Sequence, residues 1–182
     1  MSFPWKIVFA PSVPFSGKSE SYRFADILEI FGFGHANLLR SHLQSWRSIR
    51  QEVKPNLIIG DRAPGLVLAA YGIVPAIVVG DGFTVPPPVE VFPTLRFPSP
   101  LESQQRQQQV SSTVRQVLQL DISLGQLLNR DASFIFGIPE LDSYRHLRRN
   151  DQYVSLHLTP LSNNLHSRDN SAWSYLVVIF IR

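Results

Sequence analysis

Residues that could take part in chemistry follow three short apolar runs in this sequence. Asp61 follows residues 56–60 (NLIIG), Asp81-Gly82-Phe83-Thr84 follows residues 76–80 (AIVVG), and a loop at 11–17, which contains Phe15, follows residues 6–10 (KIVFA). Uncharged runs of this length are typical of strands in a parallel sheet. Because ligands of such sheets bind beyond the carboxyl ends of the strands, we expect the three groups to form one site.

Two interpretations of Asp61 are open at this stage. Its carboxylate could cap the helix that we expect to begin near Arg62, since Asp readily accepts hydrogen bonds from the free N–H groups of a first turn. Alternatively, it could hold a histidine in one tautomer and stabilise that histidine once protonated, as in a His/Asp general-base pair.

The residues after the second run also have two readings each. Asp81 is either a polar contact to a ligand or a turn residue before Gly82. Phe83 and Thr84 place an aromatic ring and a hydroxyl on a proline-rich loop, which suits a flat or apolar ligand carrying a hydroxyl group. The alternative is a loop folded back on the core.

The histidines and the densest basic cluster give weaker signals. His35 follows a glycine-rich stretch but lies between two helical patterns, and His42 lies beside Trp46 on an apolar helix face, which favours a core role. The other histidines show no ligand spacing, so we expect neither a metal site nor a bound cofactor. The basic residues between 145 and 149 could contact phosphates or form a solvated turn.

The remaining pattern predicts an α/β fold, a Rossmann-like parallel sheet with helices on both faces. Helical periodicity covers about 22–33 and 35–54, and a helix at 63–71 joins the strands at 56–60 and 76–80 into a βαβ unit. An irregular loop covers 81–100. Helix starts are predicted at Ser99-Pro100 and at Ser123 with Gln126, and further strands at 133–138, 153–158 and 172–181.

Composition limits the classes of protein that remain. The 182 residues favour one core, and the absence of cysteine excludes disulfide and thiolate sites and fits a cytoplasmic location. The net charge of +3 is spread along the chain, so we expect no nucleic-acid partner. No signal peptide is predicted at 1–14, and the apolar run at 172–181 is too short to span a membrane.

The run from Lys54 to Pro88, KPNLIIGDRAPGLVLAAYGIVPAIVVGDGFTVPPP, together with HLQSWRSI before it and FGIPELDSY after it, resembles a known family. It is similar to the N-terminal domain of bacterial GT-B glycosyltransferases related to UDP-glucuronosyltransferases and to macrolide or flavonoid glycosyltransferases. The resemblance covers most of residues 5–153. It implies an acceptor-side domain at 5–158 that lacks the family's first strand-helix-strand unit, a linker at 159–170, and at 171–182 the first strand of a donor-binding domain.

The resemblance also implies roles for individual residues. Asp61 matches the aspartate that pairs with the family's catalytic histidine, although the glycine-rich turn that carries this histidine has no counterpart here. Phe15, Asp81, Phe83 and Thr84 become candidates for binding the acceptor. The expected activity is transfer of a sugar, with inversion, from a nucleotide-sugar donor to a small hydroxylated acceptor.

In that interpretation the chain is an inactive fragment, and only the full-length enzyme binds the donor. A non-catalytic α/β module that binds a small molecule is the alternative. We also expect self-association through a sheet edge left open by the absent strands.

Overall fold

The computed structural model describes residues 10–11, 20–154 and 178–181, which form an α/β fold around one sheet. The predicted fold class is therefore confirmed. Its helices are α1 (Phe24–Ile30), α2 (Ala36–Val53), α3 (Pro64–Ala69), α4 (Leu101–Leu118) and α5 (Leu124–Asn129). Its strands are β1 (Leu57–Asp61), β2 (Ala76–Gly80), β3 (Ala132–Phe136), β4 (Tyr153–Val154) and β5 (Val178–Ile181). Short 3₁₀ turns cover Pro139–Leu141, Arg145–Leu147 and Asn150–Gln152.

The sheet has the strand order β4-β3-β2-β1-β5. Strands β1 to β4 run parallel to one another, so β1, α3 and β2 form the βαβ unit that the sequence predicts. Asp61 is in register with Val79, one residue before the end of β2. The segments that follow β1 and β2 therefore leave the same edge of the sheet.

Strand β5 pairs antiparallel with β1, from Leu57 opposite Ile181 to Gly60 opposite Val178. This pairing covers one edge of β1. Self-association through an open sheet edge stays a prediction. Residues 178–181 extend the same sheet in this structure. The assignment of 171–182 to a second domain stays a prediction.

One face of the sheet carries the deeply buried strand residues. Ile58, Ala76, Val78 and Ile135 alternate along their strands and pack against side chains of the helices. The intervening residues of β1 and β2 on the opposite face are half-buried. The expectation that 56–60 is buried on both faces therefore holds for one face within the described residues.

Two helix starts show how far the local sequence signals reach. Ser123 caps α5 by accepting a hydrogen bond from the Gln126 N–H, and the Gln126 side chain bonds back, as predicted. For α4 the prediction was wrong by one residue, because Pro100 is the capping residue. The Ser99 hydroxyl, expected to cap, is buried without a partner.

Candidate functional site

A cavity of about 720 Å³ lies at the carboxyl edge of the parallel strands. Its walls come from α1 and α2, from the segments after β1 and β2, from Leu128 of α5, and from the described part of the predicted loop after residue 10. The lining residues are Ala10, Pro11, Phe24, Ile27, Leu28, Phe31, Phe33, His42, Trp46, Arg62, Ala63, Pro64, Gly65, Val67, Val78, Phe83, Thr84, Pro86 and Leu128. Most of this surface is apolar or aromatic, as in typical small-molecule pockets.

His42 and Trp46 supply polar atoms to one wall. The Trp46 indole N–H donates a hydrogen bond to His42 Nε2 at 3.2 Å. Because that nitrogen accepts, the neutral ring carries its proton on Nδ1, which is buried and has no partner. Burial lowers the pKa of His42 below its ordinary value of 6.5, so the ring is neutral at pH 7.

Gly65 allows α2 and α3 to approach at this wall. A Cβ at Gly65 would lie 2.1 Å from His42 Nε2 and 3.0 Å from Trp46 Nε1. A side chain at position 65 would collide with His42 and Trp46 of α2, so a glycine is required there. His42 was expected in the core, and Gly65 was not among the predicted site residues. The i, i+4 spacing of His42 and Trp46 is the signal that could have linked the two side chains.

Asp61 ends β1 close to this cavity without lining it. It does not cap α3, whose capping residue is Ala63 and makes no side-chain capping bond, so the capping interpretation is wrong. Asp61 Oδ1 is buried and has no hydrogen-bond partner. Burial, and to a smaller extent the nearby Asp81, raises the pKa of Asp61, although Arg62 acts in the opposite direction.

Asp81 organises the turn after β2. Its Oδ1 accepts hydrogen bonds from the N–H groups of Phe83 and Thr84, at 3.0 and 2.8 Å, while its own N–H donates to the Thr84 hydroxyl. Burial would raise the pKa of Asp81, but these bonds and Arg62 outweigh that effect and lower it. Asp81 therefore acts as a turn residue here, and its contact with a ligand stays a prediction.

Arg62 has an unusual backbone conformation at the junction of β1 and α3. Its φ is 50°, in the left-handed region that residues other than glycine seldom occupy. Its guanidinium reaches Asp81 Oδ2 at 3.2 Å, with both side chains about half exposed. An exposed pair of this kind contributes little stability, so it does not account for the strained backbone of Arg62. The strain lies at the cavity wall, and strained residues of this kind cluster at functional sites.

The other sequence candidates fall in different places. Phe83 and Thr84 line the cavity as expected, whereas Phe15 lies outside the described residues. The Nε2 atom of the exposed His35 lies 3.3 Å from Glu29 Oε1, and His35 does not line the cavity. Within the described ranges neither His35 nor His42 contacts Asp61.

The basic cluster at 145–149 makes contacts within the chain. Arg148 forms a fully buried ion pair with Asp142, while the exposed Arg145 and Arg149 lie beside Glu140 and Asp151. Arg148 fits neither prediction for this cluster, a phosphate contact or a solvated turn, because its side chain is buried and paired with a carboxylate. Its burial could not be read from a run of neighbouring charges.

Across the residues that the structure describes, no group of three His, Asp or Glu side chains could hold a metal ion. No helix in those ranges has the length and apolar character needed to cross a membrane. Comparisons with protein-family models, with curated proteins and with solved structures found no match to this chain.

Proposed function

We propose that this chain is the acceptor-binding domain of a nucleotide-sugar-dependent glycosyltransferase and that the cavity binds the acceptor. The cavity supports this proposal most directly, because it lies at the sheet edge where α/β folds bind ligands and contains two residues expected to contact the acceptor, Phe83 and Thr84. The glycosyltransferase assignment itself rests on the sequence resemblance around Asp61.

The walls indicate the chemical class of the acceptor. A volume of about 720 Å³ suits a drug-sized molecule, and the Phe24, Phe31, Phe33 and Phe83 rings favour a flat, largely apolar body. Polar side chains are few. The Thr84 hydroxyl and the Arg62 guanidinium lie on the side of the strand ends, and His42 and Trp46, bonded to each other, lie on the wall formed by α2. A hydroxyl group on the ligand would be oriented from that side.

Asp61 has, in this proposal, the role of orienting a histidine that is not among the described residues. A carboxylate with a buried oxygen that accepts no hydrogen bond is costly unless a partner completes it. A histidine donating to Oδ1 would be such a partner and would also offset the effect of burial on the pKa of Asp61. The nucleotide sugar would be bound by a second domain, as the resemblance implies.

A non-catalytic binding module is the second candidate. Two observations favour it: Asp61 does not line the cavity, and no described histidine contacts Asp61. A ligand could then bind in the cavity without any reaction. A reading frame that also encodes a glycine-rich turn with a histidine, or a donor-binding domain, would decide for the enzyme.

The binding step can be tested with 2-naphthol, a flat apolar probe with one hydroxyl group, by isothermal titration calorimetry. We expect Phe83→Ala to weaken binding by about tenfold, equivalent to about 1.4 kcal/mol. Phe136→Ala is the matched control, because Phe136 is 39% exposed, close to the 43% of Phe83, but lies outside the cavity. Failure of the wild-type chain to bind, or equal losses in both variants, would contradict the proposed site.

The catalytic part of the proposal has its own experiment. The chain alone is incubated with UDP-glucose or TDP-glucose and 2-naphthol, and both the glucoside and the free nucleotide are quantified. We expect neither transfer nor hydrolysis, because the proposed general base and donor site are not supplied by the described residues. Formation of glucoside would show that the chain is active by itself.

A further inference from the structure

A buried ion pair lies next to the segment of the cavity wall formed by residues 82–85, here called the wall segment. The side chains of Arg148 and Asp142 are 0% and 2% exposed, and Arg148 Nε donates to Asp142 Oδ2. Because the charges neutralise each other, the guanidinium can be buried while its other N–H groups remain available as donors.

Those donors bind both ends of the wall segment. Arg148 Nη2 donates to the Gly82 carbonyl at 2.7 Å and to the Val85 carbonyl at 2.6 Å. Phe83 and Thr84, which line the cavity, lie between these two anchor points. One guanidinium therefore fixes the backbone on either side of the residues that face the ligand.

Asp142 holds Arg148 in place and also contacts the wall segment. Its carboxylate accepts hydrogen bonds from the Tyr144 N–H at 2.8 Å and from the Tyr153 hydroxyl at 2.9 Å. A Cβ on Gly82 would lie 2.6 Å from Asp142 Cγ, so the carboxylate packs directly against that backbone. The pair is thus oriented by Tyr153 of β4 and by Tyr144, which precedes the 3₁₀ turn Arg145–Leu147.

We propose that Arg148 and Asp142 are positioning residues for the cavity ligand, which they affect through Phe83 and Thr84. The proposal rests on the proposed function of the cavity. A buried ion pair often gives no more stability than an apolar pair of the same size, whereas a bidentate guanidinium fixes geometry. In this proposal the ion pair fixes the position of the Phe83 ring relative to the opposite walls of the cavity.

A double-mutant cycle separates positioning from general stabilisation. The affinity for 2-naphthol is measured for the wild type, Arg148→Lys, Phe83→Ala and the double variant. Arg149→Lys is the control, because the Arg149 side chain is exposed and pairs with Asp151. We expect Arg148→Lys to weaken binding about tenfold in the wild-type background and less than about twofold once the Phe83 ring is removed. Arg149→Lys should leave the affinity unchanged, and equal losses in both backgrounds would overturn the proposal.

Amide hydrogen exchange supplies a readout that does not depend on a ligand. We expect Arg148→Lys to accelerate exchange at the Phe83, Thr84 and Val85 amides while the amides of β1 and β2 keep wild-type rates. Tyr153→Phe, which removes a single hydrogen bond to Asp142, should give a smaller change at the same amides and serves if Arg148→Lys unfolds. Unchanged exchange in the wall segment would overturn the proposal. Absence of 2-naphthol binding by the wild type would overturn the proposed function, and the exchange rates would still decide the role of the pair.

Discussion

The Thr84 hydroxyl and the Asp61 carboxylate both lie against the side of Gly80 that a Cβ would occupy. The position that a Cβ would take on Gly80 lies 2.4 Å from Thr84 Oγ1 and 3.4 Å from Asp61 Oδ1. Thr84 lines the cavity, so the buried oxygen of Asp61 lies just behind the cavity wall. Gly80 leaves the space in which the two polar groups approach.

Gly80→Ala is therefore expected to destabilise the fold by about 1–3 kcal/mol, because the added methyl group overlaps the Thr84 hydroxyl. Gly137→Ala is the control, since a Cβ there would meet nothing within 4 Å. Urea denaturation followed by circular dichroism measures both. Equal free energies of unfolding for Gly80→Ala and Gly137→Ala would contradict this prediction, because they would show that the Thr84 side chain moves aside without a cost in stability.

Asp61→Asn is expected to stabilise the fold at pH 7. Burial raises the pKa of Asp61, so the folded state holds its proton at pH values where the unfolded chain, with the ordinary value of 3.8, has lost it. Stability therefore falls as pH rises from 3.8 through the raised folded pKa, and the amide variant escapes this loss. The advantage of the variant should vanish below pH 3.8.

Asp81→Asn provides the opposite case for the same measurement. The pKa of Asp81 is lowered, so its carboxylate stabilises the fold above 3.8, and this contribution is lost as pH falls through the folded pKa. We expect the variant to be less stable than the wild type at pH 7. Unfolding free energies from urea titrations between pH 3 and pH 7 would show the two variants diverging; parallel curves would contradict both assignments.

The elements were predictable where local signals decide them. Residues 76–80 and the Ser123–Gln126 helix start carry their signals within a few positions, namely an uncharged β-rich run and a capping box. The parallel pairing of β1 with β2 followed from the helix between them. The antiparallel pairing of β5 with β1 could not be predicted in this way, because its register depends on a partner more than 100 residues away in the chain.

The site was predictable only in part, for the same physical reason. Phe83 and Thr84 could be placed at the ligand edge because they directly follow a strand. Gly65 and Arg148 could not, since their roles depend on side chains of other elements, the first on His42 and the second on the backbone of the wall segment. Sequence spacing carries no information about such contacts.

His42 should make stability fall in mildly acidic solution. Its pKa is lowered by burial, so below 6.5 the unfolded chain takes up a proton that the folded state refuses until its own lower pKa is reached. His42→Gln removes that titration, and its stability should therefore fall less than that of the wild type between pH 7.5 and pH 5. Urea denaturation at the two pH values measures the difference, with the exposed His146→Gln as the control. An equal fall in wild type and His42→Gln would contradict the lowered pKa.

Asp26 should be a costly carboxylate to remove, because it joins α1 to α4 from a fully buried position. It accepts hydrogen bonds from the N–H groups of Tyr22 and Arg23 and from the Ser103 hydroxyl, each at 2.8 Å, and from Arg106 Nε at 2.6 Å. Asp26→Ala leaves all four donors unpaired at once, and we expect a loss of about 3 kcal/mol or more.

Ser103→Ala and Asp121→Ala are the comparison variants for the loss of stability in Asp26→Ala. Ser103→Ala removes one of the four donors and should cost about 1–2 kcal/mol. Asp121→Ala changes a fully exposed side chain and should leave the stability close to that of the wild type. Because α1 supplies Phe24, Ile27 and Leu28 to the cavity, Asp26→Ala should also weaken 2-naphthol binding at temperatures where the variant is still folded. Wild-type affinity in a destabilised Asp26→Ala protein would show that α1 keeps its position without this carboxylate.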